Sequence, residues 1–265
     1  MTSTYDPATL TVDRKNVSNL HHDMFCPGIS VDNQGGIVVT GGNSGQSTSQ
    51  FSISSQAWAP RAKMNLVRGY QSQVTLSDGR IFTVGGSWTD KKGNKNGEVY
   101  NVTANTWTNL AGAPVKPMLT ADAQGIFRSD NHAWLFAWKA GYVLQAGPSK
   151  AMNWYNINGT GSQTAAGVRA ADGDSMCGNA VMYDAVAGKI LTAGGSPSYQ
   201  DSSATTNAHV ITIGSPPSLP VVSKVSSMQY ARAFANGVVL PSGQGESTFY
   251  PDLYSTTSSN SHQQS

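Results

Sequence analysis

The chain has 265 residues and a formal net charge of +2; 12% of its residues are charged and 28 are Gly. Average soluble proteins carry about 25% charged residues, so this composition excludes a coiled coil or long helical bundle, and the 9% aromatic content excludes a wholly disordered chain. No run of about 18 apolar residues is present to span a membrane, and the near-neutral balance gives no electrostatic reason to expect nucleic acid as a partner.

The opening Met1-Thr-Ser-Thr-Tyr-Asp-Pro7 has no basic or apolar region and does not read as a signal peptide. Three Asn-x-Ser/Thr sequons follow along the chain, at Asn16, Asn101 and Asn158; a Ser/Thr/Asn-rich sequence produces some of these by chance. The first dense chemical cluster is His21-His22-Asp23-Met24-Phe25-Cys26-Pro27-Gly28. A turn at Asn33–Gly36 leads into a predicted strand, Ile37-Val38-Val39-Thr40, that ends in Gly41-Gly42. The same unit returns at Asp78-Gly79-Arg80, Ile81–Val84 and Gly85-Gly86, in degraded form at Tyr142–Gly147, and again at Ile190–Ala193 with Gly194-Gly195. Phe51 precedes Trp58 by seven residues and Tyr100 precedes Trp107 by seven. Four short strands in about 45–50 residues mark a kelch-type blade, so the fold class is an all-β propeller. The glycines end strands where a Cβ does not fit, and the aromatics fill the wedge between blades. Only about four such units fit into residues 1–241, so the ring is incomplete. Residues 156–174, 196–208 and 213–228 read as loops, and 242–265 as a polar, disordered tail.

Cys26 and Cys177 are the only cysteines, and a disulfide between them requires a geometry the sequence does not supply. Taken singly, Cys26 reads as a small buried hydrophobe, Tyr70 and Trp88 as packing residues, and His22 as a hydrogen-bonded structural histidine.

Together, Phe25-Cys26-Pro27-Gly28, Arg68-Gly69-Tyr70-Gln71 and Gly85-Gly86-Ser87-Trp88 resemble the fungal galactose oxidases, copper-radical alcohol oxidases on a seven-bladed kelch propeller. The resemblance continues through Arg128-Ser129-Asp130-Asn131-His132-Ala133-Trp134, Met176-Cys177-Gly178-Asn179 and Tyr199-Gln200-Asp201, and spans about Asp6 to Pro241. It covers the amino-terminal part of the propeller, about four of seven blades. It implies that Cys26 joins Tyr70 through a thioether, that Tyr70 ligates copper and stores an oxidising equivalent as a radical, and that Trp88 stacks over the pair. Arg232 is implied to bind sugar hydroxyls and Phe25 to wall the sugar pocket. The implied cofactors are copper and the Cys–Tyr radical. The implied substrates are a sugar or other primary alcohol and O2, converted to aldehyde and H2O2 outside the cell.

The family also uses a Tyr-His pair and a further His as copper ligands. No Tyr-His dipeptide occurs here, and the histidines are His21, His22, His132, His209 and His262. Copper(II) takes about four N/O donors in a plane, more than Tyr70 alone offers. Nothing after Pro241 resembles the later blades, and no amino-terminal carbohydrate-binding domain is present. The chain therefore reads as a truncated or mis-spliced product or a degenerate paralogue. The alternatives to an oxidase are a non-catalytic carbohydrate- or protein-binding kelch module and an inactive fragment.

Overall fold

The structure is a computed structural model that describes residues 1–90, 93–241 and 247–251. A hairpin opens the chain, with β1 (Thr2–Asp6) paired antiparallel to β2 (Thr11–Lys15). Four four-stranded antiparallel sheets follow, each in simple up-and-down order. The first comprises β3 (Gly28–Val31), β4 (Ile37–Thr40), β5 (Thr48–Ser52) and β6 (Ala57–Arg61). The second comprises β7 (Ser72–Thr75), β8 (Ile81–Val84), β9 (Glu98–Asn101) and β10 (Thr106–Asn109). The third comprises β11 (Trp134–Ala137), β12 (Tyr142–Gly147), β13 (Ala151–Asn156) and β14 (Ser162–Val168). The fourth comprises β15 (Asn179–Asp184), β16 (Lys189–Ala193), β17 (Ala208–Thr212) and β18 (Val221–Lys224). A last pair, β19 (Gly237–Pro241) and β20 (Ser247–Pro251), begins a fifth blade. First strands of successive blades neighbour one another at three seams, β3 with β7, β7 with β11 and β15 with β19. This is an incomplete kelch propeller.

Two segments read as loops contain strands. β14 lies within 156–174 and β18 within 213–228. Both are outermost strands with only a few buried side chains, so their sequences carry no alternation of apolar and polar residues to betray them. Within the stretch read as a tail, Ser247–Pro251 is a strand; residues 242–246 and 252–265, including His262, lie outside the described residues.

The core lies between blades. Val38, Ile81 and Tyr100 pack together between the first and second, and Phe82, Val99, Met118, Val143 and Tyr155 between the second and third. Leu144, Trp154, Ile190 and Ile211 fill the space between the third and fourth. The seven-residue aromatic pairs sit opposite one another in register, Phe51 with Trp58 at 5.5 Å and Tyr100 with Trp107 at 4.9 Å between ring centroids. Trp107 Nε1 then donates to the Ala62 carbonyl at 3.0 Å, which ties the second blade to the first.

The Gly-Gly pairs have one specific task. The second glycine's N–H donates to a carbonyl of the next blade: Gly42 to Arg68 at 2.9 Å, Gly86 to Asp130 at 3.3 Å, and Gly195 to Arg232 at 2.8 Å. The first glycine holds a left-handed φ, +78° at Gly85, and a Cβ there would overlap that same carbonyl. At the degraded third copy Pro148 replaces the second glycine and has no N–H. The polarity reverses, and Ser175 N–H donates to the Pro148 carbonyl at 2.7 Å.

A second device repeats at the start of each third strand. A buried polar side chain there grips the segment leading into its blade. Ser49 bonds His22 Nδ1 at 2.9 Å, Glu98 pairs with Arg68 at 2.9 Å, and Asn153 donates to the Pro117 carbonyl at 3.2 Å. His209 faces Asp172 at 3.4 Å.

Candidate active site at the ends of the inner strands

The site grows from one backbone position repeated on successive blades. Just before each innermost strand stands a non-glycine residue in the left-handed region: Cys26 (φ 58°), Tyr70 (61°), His132 (56°), Cys177 (56°) and Phe234 (56°). Such conformations are uncommon for residues with a Cβ and concentrate at functional sites. Each is held by its neighbour. Tyr70 N–H donates to the Cys26 carbonyl at 2.9 Å, His132 to the Tyr70 carbonyl at 3.1 Å, and Phe234 to the Cys177 carbonyl at 2.8 Å. The fold thereby gathers side chains from separate blades.

Cys26, Tyr70 and Trp88 come together. The Cys26 thiol and the Tyr70 hydroxyl lie close enough to shift one another's proton affinity, and the two cysteines are both free thiols. The Trp88 ring lies 4.7 Å from the Tyr70 ring, tilted by 47°. Ser87 aims that indole: its N–H and hydroxyl donate to the buried Asp130 carboxylate at 2.9 and 2.6 Å. Burial raises the pKa of Tyr70, and the adjoining Cys26 and Tyr199 groups raise it further, so the phenol holds its proton. Burial also raises Cys26, with the Tyr70 hydrogen bond opposing it, and pushes Cys177 up to about 12. Phe25 stands beside Cys26 at the rim and is half exposed.

Four further residues complete the cluster. Tyr199 packs against Trp88 at 5.7 Å and stacks on His132 at 5.6 Å, and Phe127 lies 5.5 Å from Trp88. His132 meets Tyr70 edge-on at 5.1 Å; its Nε2 is buried without a hydrogen-bond partner, and burial lowers its pKa to about 4. The guanidinium over this cluster is that of Arg128, 4.8 Å from the Trp88 ring centre and 5.2 Å from that of Tyr199. Its Nη1 donates to Gln200 at 2.6 Å, while its Nε is buried and unpartnered among the described residues.

Arg232 sits elsewhere, at the junction of the fourth and fifth blades. It walls a cavity of about 10 Å³ with Cys177, Asn179 and Met228. It precedes Phe234 by two residues, as Arg68 precedes Tyr70, and its carbonyl takes the same Gly-Gly hydrogen bond. By blade register Arg232 corresponds to the structural Arg68.

Copper fits this donor set only in part. Among the described residues no three His, Cys, Asp or Glu side chains cluster as a metal site. Tyr70 could offer one oxygen, and a tetragonal copper centre needs about three more donors. The described residues do not complete such a centre.

Comparison with known proteins bears on the fold and the family resemblance. Residues 68–114 match the Kelch motif. The chain is 57% identical to galactose oxidase from Gibberella zeae over 248 residues, 92% of this chain and 36% of that protein. It thus spans about a third of the length of that curated relative. A solved fungal alcohol oxidase of the AA5 family, in complex with copper, superposes with a TM-score of 0.85 at 52% identity, covering 90% of this chain and 50% of that one. YjhT, 11% identical with a TM-score of 0.59 over 81% of this chain, shares the fold alone. The resemblance to the galactose oxidases therefore runs through nearly all of the chain.

Proposed function

We propose that this chain supplies the cysteine–tyrosine half of a copper-radical alcohol oxidase site. Its work is the conversion of a primary alcohol and O2 to aldehyde and H2O2 once donors beyond the described residues complete the copper. The carrying observation is the Cys26–Tyr70 pair: a backbone hydrogen bond of 2.9 Å ties the two residues together, and the Trp88 ring lies 4.7 Å from that of Tyr70. With copper bound, O2 would take the thiol proton, one ring proton and two electrons as the sulfur joins the ring, and a thioether-substituted phenolate loses an electron more readily than plain tyrosine. Trp88 lies tilted by 47° against the ring, where the stacked arrangement expected from the resemblance would have been face to face. Tyr70 is the residue we assign to copper, which would take the place of its proton.

For the alcohol, the geometry favours Arg128 over Arg232. A planar guanidinium offers several fixed donors. Arg128 is anchored by Gln200, lies over the Trp88 ring, and retains an unpartnered Nε. Phe25, half exposed next to Cys26 in the chain, is the residue we assign to the wall of the pocket. A hydroxyl-rich substrate such as galactose, with O2 as co-substrate and an extracellular setting, goes with this reading.

The test is copper(II) titration with added imidazole standing in for the missing nitrogen donors. The wild-type chain is expected to develop a phenolate-to-copper absorption band that Tyr70→Phe lacks. A band unchanged in Tyr70→Phe would put copper elsewhere. A carbohydrate-binding role without catalysis rests on the same Arg128. Galactose binding that is lost in Arg128→Met yet indifferent to copper, together with no band at Tyr70, would establish that role instead.

A further inference from the structure

We propose that Asn101 is an N-glycosylation site whose first sugar seats in a polar groove on the outer edge of the second blade. The three sequons differ in what the fold leaves available. Asn101 ends β9, is exposed, and uses its Oδ1 to accept the Ala104 N–H at 2.9 Å, so that among the described residues no hydrogen bond engages its Nδ2. Thr103, the hydroxyl residue of that sequon, is exposed as well. Asn101, Val102 and Thr103 line a cavity of about 230 Å³ together with Asn33, Asp78 and Arg80. That space suits one hexosamine ring, and its amide, carboxylate and guanidinium groups suit sugar hydroxyls and an N-acetyl group.

Asn158 is also exposed, but both ends of its amide are committed. Nδ2 donates to the Ala140 carbonyl at 3.1 Å and Oδ1 accepts from Arg80 at 3.3 Å. A glycan there would replace one of the two Nδ2 hydrogens beside the Ala140 carbonyl and crowd both contacts. Asn16 is exposed with its Oδ1 accepting the Ser18 N–H at 2.9 Å, but it is not part of this groove and its sequon ends in Ser. Position also favours Asn101. Glu98 pairs with Thr83 near the Gly85-Gly86 end of the blade, so Asn101 lies at the opposite end of the strand from Tyr70 and a glycan leaves the site face clear.

Occupancy in the native host rests on the extracellular setting proposed above, so the test supplies the secretory route itself. The full chain is secreted from a eukaryotic host behind an added leader, trimmed with an endoglycosidase, and mapped by peptide mass. The expected result is one N-acetylhexosamine on the Asn101 peptide, lost in Thr103→Ala, kept in Thr103→Ser, with the Asn158 peptide bare. Asn101 bare on the secreted chain, or Asn158 modified in its place, would overturn the proposal. For the groove, amidase release of the native glycan is expected to be several-fold faster from Asp78→Ala than from wild type; equal rates would remove the groove from the account.

Discussion

At the scale of single residues, the site depends on five side chains held in a backbone conformation that favours glycine. Cys26, Tyr70 and His132 occupy one register position on three blades, and the hydrogen bonds between them fix their spacing. His132 carries a pH signature. Its folded pKa of about 4 lies below the ordinary 6.5, so between these values the unfolded chain binds the extra proton. Its contribution to stability is complete above about pH 6.5 and is lost as pH falls toward 4, by on the order of 3 kcal/mol. Burial lowers His22 and His209 in the same direction. Urea midpoints at pH 7 and pH 4.5 are expected to differ less in His132→Gln than in wild type; an equal loss in both would assign the acid sensitivity elsewhere. Cys26, Tyr70 and Trp88 were legible in the sequence because each sits in a distinctive motif. Arg128, His132 and Tyr199 stood in quoted motifs without a role, since only the folded ring shows that they converge. Sugar binding was assigned to Arg232 by the family resemblance, whereas by blade register Arg232 corresponds to Arg68, whose carbonyl takes the same Gly-Gly hydrogen bond.

At the scale of elements, the seams between blades carry the polar chemistry. Arg68 and Glu98 are both fully buried; the guanidinium also donates to the Gly85 and Lys95 carbonyls at 2.7 and 3.0 Å and to that of Asn96. Removal of one partner strands a buried charge. Glu98→Ala is expected to cost about 3–5 kcal/mol, and the double variant Arg68→Met/Glu98→Met markedly less than the sum of its single variants. Strict additivity in denaturant titrations would show that the two side chains do not act as a unit. Gly85→Ala is expected to destabilise by at least about 1–3 kcal/mol, because its φ of +78° is left-handed and its Cβ would meet the Asp130 carbonyl. An unchanged midpoint would contradict that seam geometry. The Gly-Gly strands and the aromatic pairs were readable because they repeat. β14 and β18 were not, because outermost strands have one wet face and few apolar residues.

At the scale of the whole molecule, four blades and the start of a fifth arrange the cysteine–tyrosine pair, its indole cover and a guanidinium, while the described residues leave the copper donor set incomplete. Ile29 and Val31 on β3 remain 60% and 57% exposed, which marks the open side of the first blade. The fold class and the incompleteness of the ring both followed from counting repeats. The central claim is that this chain by itself brings Cys26 and Tyr70 into bonding register. Its most direct test is peptide mass mapping of the purified chain after exposure to copper, imidazole and oxygen. A Cys26–Tyr70 linked peptide, lighter by two hydrogens and absent from Tyr70→Phe, is the expected result. A free Cys26 peptide and an unmodified Tyr70 peptide under the same conditions would contradict the account.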